Sequence, residues 1–148
     1  MSDSIPDRGH STQIPPAQQS PLSIPACVPS ATPAQDDLTQ RRRALSTTYL
    51  QDATGGHLSP MGQAQAAFDA GYLAILVVLG ESVPTGYEHH PDPVLIQAAA
   101  AKLNLPDGAS DQALFFISRQ YDLDYRQCHV ADALLAWARL VRSAAGIE

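Results

Sequence analysis

The residues of this chain best suited to chemistry lie in one short stretch, Arg119-Gln120-Tyr121-Asp122-Leu123-Asp124-Tyr125-Arg126. Two arginines, two tyrosines and two aspartates fall within eight positions there. Aromatic rings and guanidinium groups side by side can stack on an RNA strand and neutralise it. The same side chains can equally close an Arg–Asp network that locks the junction between two helices, the commoner use of such groups. Cys128 and His129 follow directly. A Cys–His nucleophile pair is close in space and seldom adjacent in sequence. The pair therefore reads as a small side chain and a cap or first-turn residue at the base of the last helix.

Glu88-His89-His90-Pro91-Asp92 offers four ligand side chains, with His57 or His129 as a distant partner. Zinc draws its ligands at helical or hairpin spacing plus a remote third or fourth, and adjacent loop histidines rarely share one ion. The stretch reads as a polar loop before a proline-started helix, and no metal or other cofactor is expected. Asp69 lies inside the most apolar segment. A carboxylate buried there without a partner is costly, so it either meets an arginine or faces water at the wet end of its helix. Tyr72 carries the only polar side-chain group between Gly71 and Leu79, and joins Asp69 as a candidate binding residue. Arg41, Arg42 and Arg43 point in different directions on a helix, at ~100° per residue. They read as a solvated face, with contact to a phosphate or RNA backbone as the functional alternative.

The element that must position these groups is Pro60–Leu79. Ser59 can cap its free N–H groups, and Pro60 suits the first helical position. Met61, Ala64, Phe68, Tyr72, Ile75 and Leu79 recur at steps of three and four. Ala67, Gly71, Ala74 and Val78 form a small-residue stripe beside them. A helix apolar all round is buried all round, so this segment is expected to be the central helix of a bundle. Around it the pattern predicts helices over Asp36–Ala53 (apolar stripe Leu38, Leu45, Tyr49, Ala53), Pro91–Leu103 (Val94, Leu95, Ala98, Leu103), Asp111 to about Tyr121 (Leu114, Phe115, Ile117) and His129–Ala145 (Val130, Leu134, Trp137, Val141). Ser110 is the expected cap of the fourth. No segment alternates with period two, so no sheet is expected.

The chain has 148 residues, and its first 36 hold seven of the twelve prolines and no aromatic side chain. That stretch cannot bury enough apolar surface to offset chain entropy. Residues 1–36 are expected to be a disordered Ser/Pro/Gln-rich tail, and residues 37–148 a single helical domain. A net charge of −6 argues against nonspecific coating of nucleic acid. Two cysteines make no disulfide framework. The start has neither the positive charge nor the apolar segment of a secretory signal, and the run Ala70–Leu79 is shorter than the ~20 residues a bilayer requires. A cytoplasmic location without membrane contact is expected, with export through the Ser/Pro-rich tail as the alternative.

Five helices, a central helix reading AAFDAGYLA and an Arg–polar–Tyr–Asp junction before a final amphipathic helix resemble the HEPN domains over Asp37–Ile147. Phe68 and Tyr72 match the aromatic set that HEPN central helices carry among alanines. Arg119, Gln120, Tyr125 and Asp122 match the end of the fourth helix and its junction. The resemblance implies a helical bundle, often dimeric, of the kind found in bacterial toxin–antitoxin and defence systems. Active members are metal-independent ribonucleases using an Arg, four to six residues, then a His. Here the corresponding positions after Arg119 are Asp124, Tyr125 and Arg126, and His129 lies beyond them. The favoured expectation is a noncatalytic, homodimeric interaction module with a protein partner, its binding residues drawn from Arg119, Arg126, Asp122, Tyr72 and Asp69. The alternative is a ribonuclease using Arg119 with Tyr125 or His129.

Overall fold

Local chemistry at the start of the longest apolar helix sets the frame. The Ser59 hydroxyl accepts the Gly62 N–H at 3.1 Å, and Pro60 opens the helix where no N–H is needed. This helix, α2 (Pro60–Leu79), is second of five in the computed structural model, which describes residues 33–80, 83, 86–119 and 129–148, with His129 through its backbone alone. The others are α1 (Pro33–Thr54), α3 (Pro93–Lys102), α4 (Asp111–Arg119) and α5 (His129–Ala144), with a 3-10 turn at Tyr87–His89. The described residues contain no strand, and the fold is an all-α helical bundle. Of the expected tail, residues 1–36, the first 32 lie outside the described residues and the last four are helical, since α1 begins at Pro33 rather than Asp36.

α2 is the hub. It packs against α1, α5 and α3, while α4 packs against α5 and, more lightly, α3. Both of its expected stripes are buried through the middle: Phe68, Tyr72 and Ile75 on one, Ala67, Gly71 and Ala74 on the other. By length and composition α2 could cross a membrane; in the bundle its central turns are covered by neighbouring helices. The rings of Tyr72 and Trp137 both stack on Phe68, with centroids 5.6 and 5.7 Å away, and Phe116 tilts in at 5.2 Å. Gly71 makes room for this group. A Cβ there would clash with the Trp137 ring, 2.8 Å from Cε3. The Trp137 indole N–H donates to Ser110 Oγ at 3.3 Å, so the hydroxyl expected to cap α4 instead satisfies a buried donor.

In three helices the inner face is rotated from the one expected: Tyr49, Ala53, Leu95, Leu103, Leu114 and Ile117 pack inward as read, while Leu45, Val94, Ala98 and Phe115 are exposed and other residues take the deepest positions. In α1 the buried positions are Arg42, Ser46 and Ala53, and Leu45 is 46% exposed. In α3 they are Ile96 and Ala99, with Val94 65% exposed. In α4 they are Ala113 and Phe116, with Phe115 turned outward. The cause is shared. These helices are short or polar, and several residues of each could serve as an inner face, so the neighbour across the contact decides. α5 follows its sequence pattern, burying Val130, Leu134, Trp137, Ala138 and Val141. It ends in a Schellman turn: Gly146 adopts φ +66° and the Ile147 N–H bonds the Arg142 carbonyl at 2.9 Å.

Candidate functional site

The described part of the junction is its entrance, the C-terminal turn of α4. Arg119 is the last residue of that helix and is exposed. Its guanidinium carbon sits 5.5 Å from the centroid of the Phe115 ring, one turn earlier on the same face, a cation–π arrangement. Phe115 is 46% exposed. The other candidates in the junction, Asp122, Tyr125 and Arg126, lie outside the described residues, as does the side chain of His129. The backbone places His129 at the first position of α5, which packs on α4.

Tyr72 is fully buried, and its hydroxyl accepts the Asp92 N–H at 2.9 Å. The Asp92 carboxylate in turn caps α3 by accepting the Val94 N–H at 2.8 Å. Tyr72 thus ties the middle of α2 to the start of α3. Burial raises its pKa above the usual phenol value. Asp69 is half-buried and meets Gln65, whose amide donates to Oδ1 at 2.9 Å; no arginine reaches it among the described residues. Burial pushes its carboxyl up to about 6, and the Gln65 hydrogen bond offsets only part of that.

Two arginines hold positions that their charge alone would assign to solvent. Arg42 is 2% exposed. Its Nε and Nη2 grip Glu88 Oε1 at 2.8 and 2.7 Å, and Nη2 also reaches the Val83 carbonyl. Glu88 Oε2 accepts the Gly86 N–H at 2.8 Å. Burial pushes the Glu88 carboxyl up, but its own backbone N–H, the Arg42 side chain and the Gly86 N–H outweigh that and hold it below the usual range. Arg142 is 3% exposed and enters from α5 to donate to Ser46 Oγ, Thr47 Oγ1 and the Glu148 carbonyl. Ser46 donates its own proton to the Ala70 carbonyl at 2.7 Å. Among the described residues no Asp or Glu side chain pairs with Arg142, and burial lowers its pKa. Of the arginine triplet, Arg41 shows the expected solvated pairing, with Asp37 at 3.0 Å. The signal for Arg42 was present in the chain: Arg42, Ser46, Tyr49 and Ala53 share a helical stripe, but a charge at its head made Leu45 the easier choice.

Two of the four ligand side chains of the Glu88–Asp92 stretch serve the fold itself. Glu88 is engaged by Arg42 and Asp92 by the start of α3, and no cluster of three ligating side chains occurs among the described residues. A cleft of about 460 Å³ lies where α3 turns into α4, between Gln97, Asn104, Asp107, Asp111 and Leu114. The four polar side chains of that set are exposed. No family model, no curated protein and no solved structure matches the chain.

Proposed function

We propose that the protein is a helical interaction module that self-associates and acts by binding rather than by catalysis. The observation that carries this reading is the Phe115–Arg119 pair, a large aromatic ring left 46% exposed with a guanidinium over it. Aromatic and arginine side chains are enriched at the centres of protein interfaces, where rings bury much apolar area and a guanidinium offers several hydrogen-bond donors. The deeper arginines support the same reading, since Arg42 and Arg142 are engaged inside the bundle and are withdrawn from phosphate contact. The resemblance of the central helix and the Arg119 junction to HEPN domains adds a dimeric bundle as the natural architecture. The test is sedimentation of the full chain over a wide concentration range. A monomer–dimer equilibrium is expected, and a strictly monomeric chain would overturn self-association.

The second reading, a metal-independent ribonuclease, is favoured by one observation: Arg119 ends α4 and His129 begins α5, two helices that pack together. Incubation of purified protein with single-stranded RNA in chelator separates the two readings. No cleavage is expected. Robust cleavage lost in both Arg119→Ala and His129→Ala would replace the binding reading with the catalytic one.

A further inference from the structure

The exposed residues of α4 are Asp111, Gln112, Phe115, Ser118 and Arg119. Asp111, Phe115 and Arg119 are spaced by four and form a single row along the helix. Phe115 is the midpoint, with a carboxylate about 6 Å along the axis on one side and a guanidinium about 6 Å on the other, at 1.5 Å rise per residue. Gln112 and Ser118 flank the row at equal steps from the same centre. Reversed end to end, the row therefore presents an arginine where it had an aspartate, with Phe115 in place.

Resting on the self-association proposed above, we infer that the occupant of this face is the α4 helix of a second copy, crossing antiparallel about a two-fold axis through Phe115. A two-fold contact must be complementary to itself. Packing of rows spaced by four against each other, at about −50°, lays the two rows side by side. Phe115 then meets its counterpart, and each Asp111 faces Arg119 of the other copy at both ends. Asp111 makes no ion pair or side-chain hydrogen bond among the described residues. The Arg119 guanidinium has five N–H donors, so it can stack on its own Phe115 and still reach across.

The experiment is a charge swap in the full chain, read by sedimentation, with thermal midpoints confirming that each variant folds. Asp111→Arg and Arg119→Asp should each weaken the dimer roughly tenfold, because each change alters two contacts across the axis. The double variant should return to within about threefold of the parent, as restored opposite-charge pairs require. Phe115→Ser, at an exposed position, should abolish association and serves if either charge variant fails to fold. A parent that dimerises but ignores all of these changes would overturn this face and leave self-association standing. Single effects without rescue in the double variant would also overturn the pairing. A parent that stays monomeric at every concentration would overturn both.

Discussion

Asp69 carries a charge that its surroundings do not favour. It sits half-buried on the hub helix, and its hydrogen-bond partner among the described residues, Gln65, is neutral. Its carboxyl titrates near 6 in the folded chain, against an ordinary 3.8. The native state therefore holds the proton more tightly than the unfolded state does. The stabilisation this gives is fully present below about pH 4 and is lost as the pH rises through 6. Above that, the bare carboxylate is a cost. Asp69→Asn keeps the acceptor for Gln65 and removes the charge, so it should stabilise the fold at pH 8 by about 1–3 kcal/mol. The full rise of the carboxyl from 3.8 to about 6 sets the ceiling of that range, and partial exposure to water lowers it. The gain should vanish at pH 4. Denaturant titrations of both proteins at the two pH values check this, and equal stability at pH 8 would show that water already solvates the carboxylate. Gly71, two residues on, poses the opposite problem: its lack of a side chain is what admits Trp137.

At the scale of elements, α1 adds buried polar groups to its apolar contacts through Tyr49, Leu50 and Ala53, where α2 and α5 rely mainly on apolar ones. Its inner face presents Arg42 and Ser46, and it pairs with the loop after α2 through Glu88 and with α5 through Arg142. A buried charge pair adds little when intact, yet removing one partner leaves the other stranded. Glu88→Ala should thus cost about 3–5 kcal/mol by removing the carboxylate that grips the buried Arg42 guanidinium, while Arg42→Met with Glu88→Leu should recover most of that loss. Because the Glu88 pKa is lowered on folding, its contribution is present above the ordinary carboxylate value and is lost as the pH falls through the folded one. Thermal midpoints of the parent and both variants at pH 7 decide the matter; a double variant as unstable as Glu88→Ala would point to the Val83 contact instead. This pair also marks how far the sequence was legible. The span, cap and both stripes of α2 could be read, as could the face of α5, because long runs of apolar residues leave one choice. The inner faces of α1, α3 and α4 were legible only in part: Tyr49, Ala53, Leu95, Leu114 and Ile117 pack inward as read, but the deepest residue of α1, Arg42, declares itself only through a partner 46 residues away. At the candidate site, Arg119 was legible from its type and neighbours. Phe115 was assigned to the core, because Phe115 and Phe116 are adjacent and only packing against α2 and α5 tells them apart.

For the molecule as a whole, burial is unevenly shared, and that governs where it opens. α2 contributes eleven buried residues, whereas α3 and α4 contribute two each. Local opening follows the least buried elements, at free energies well below global unfolding. Amide hydrogen exchange should be slowest in the middle of α2, and faster in α3 and α4 by on the order of a hundredfold or more. The comparison between α3 and α4 carries the functional question. Each is short, and each has one large apolar side chain turned outward, Val94 and Phe115. If α4 is covered by a second copy, its exchange must slow as protein concentration rises, because binding to the closed state suppresses opening by mass action. The α3 amides, outside that contact, should keep their rates. Exchange measured at two concentrations about a hundredfold apart reads this directly. Slowing confined to α4 supports the two-fold contact through Phe115, slowing confined to α3 would move the interface to Val94, and rates independent of concentration in both would leave the bundle a monomer.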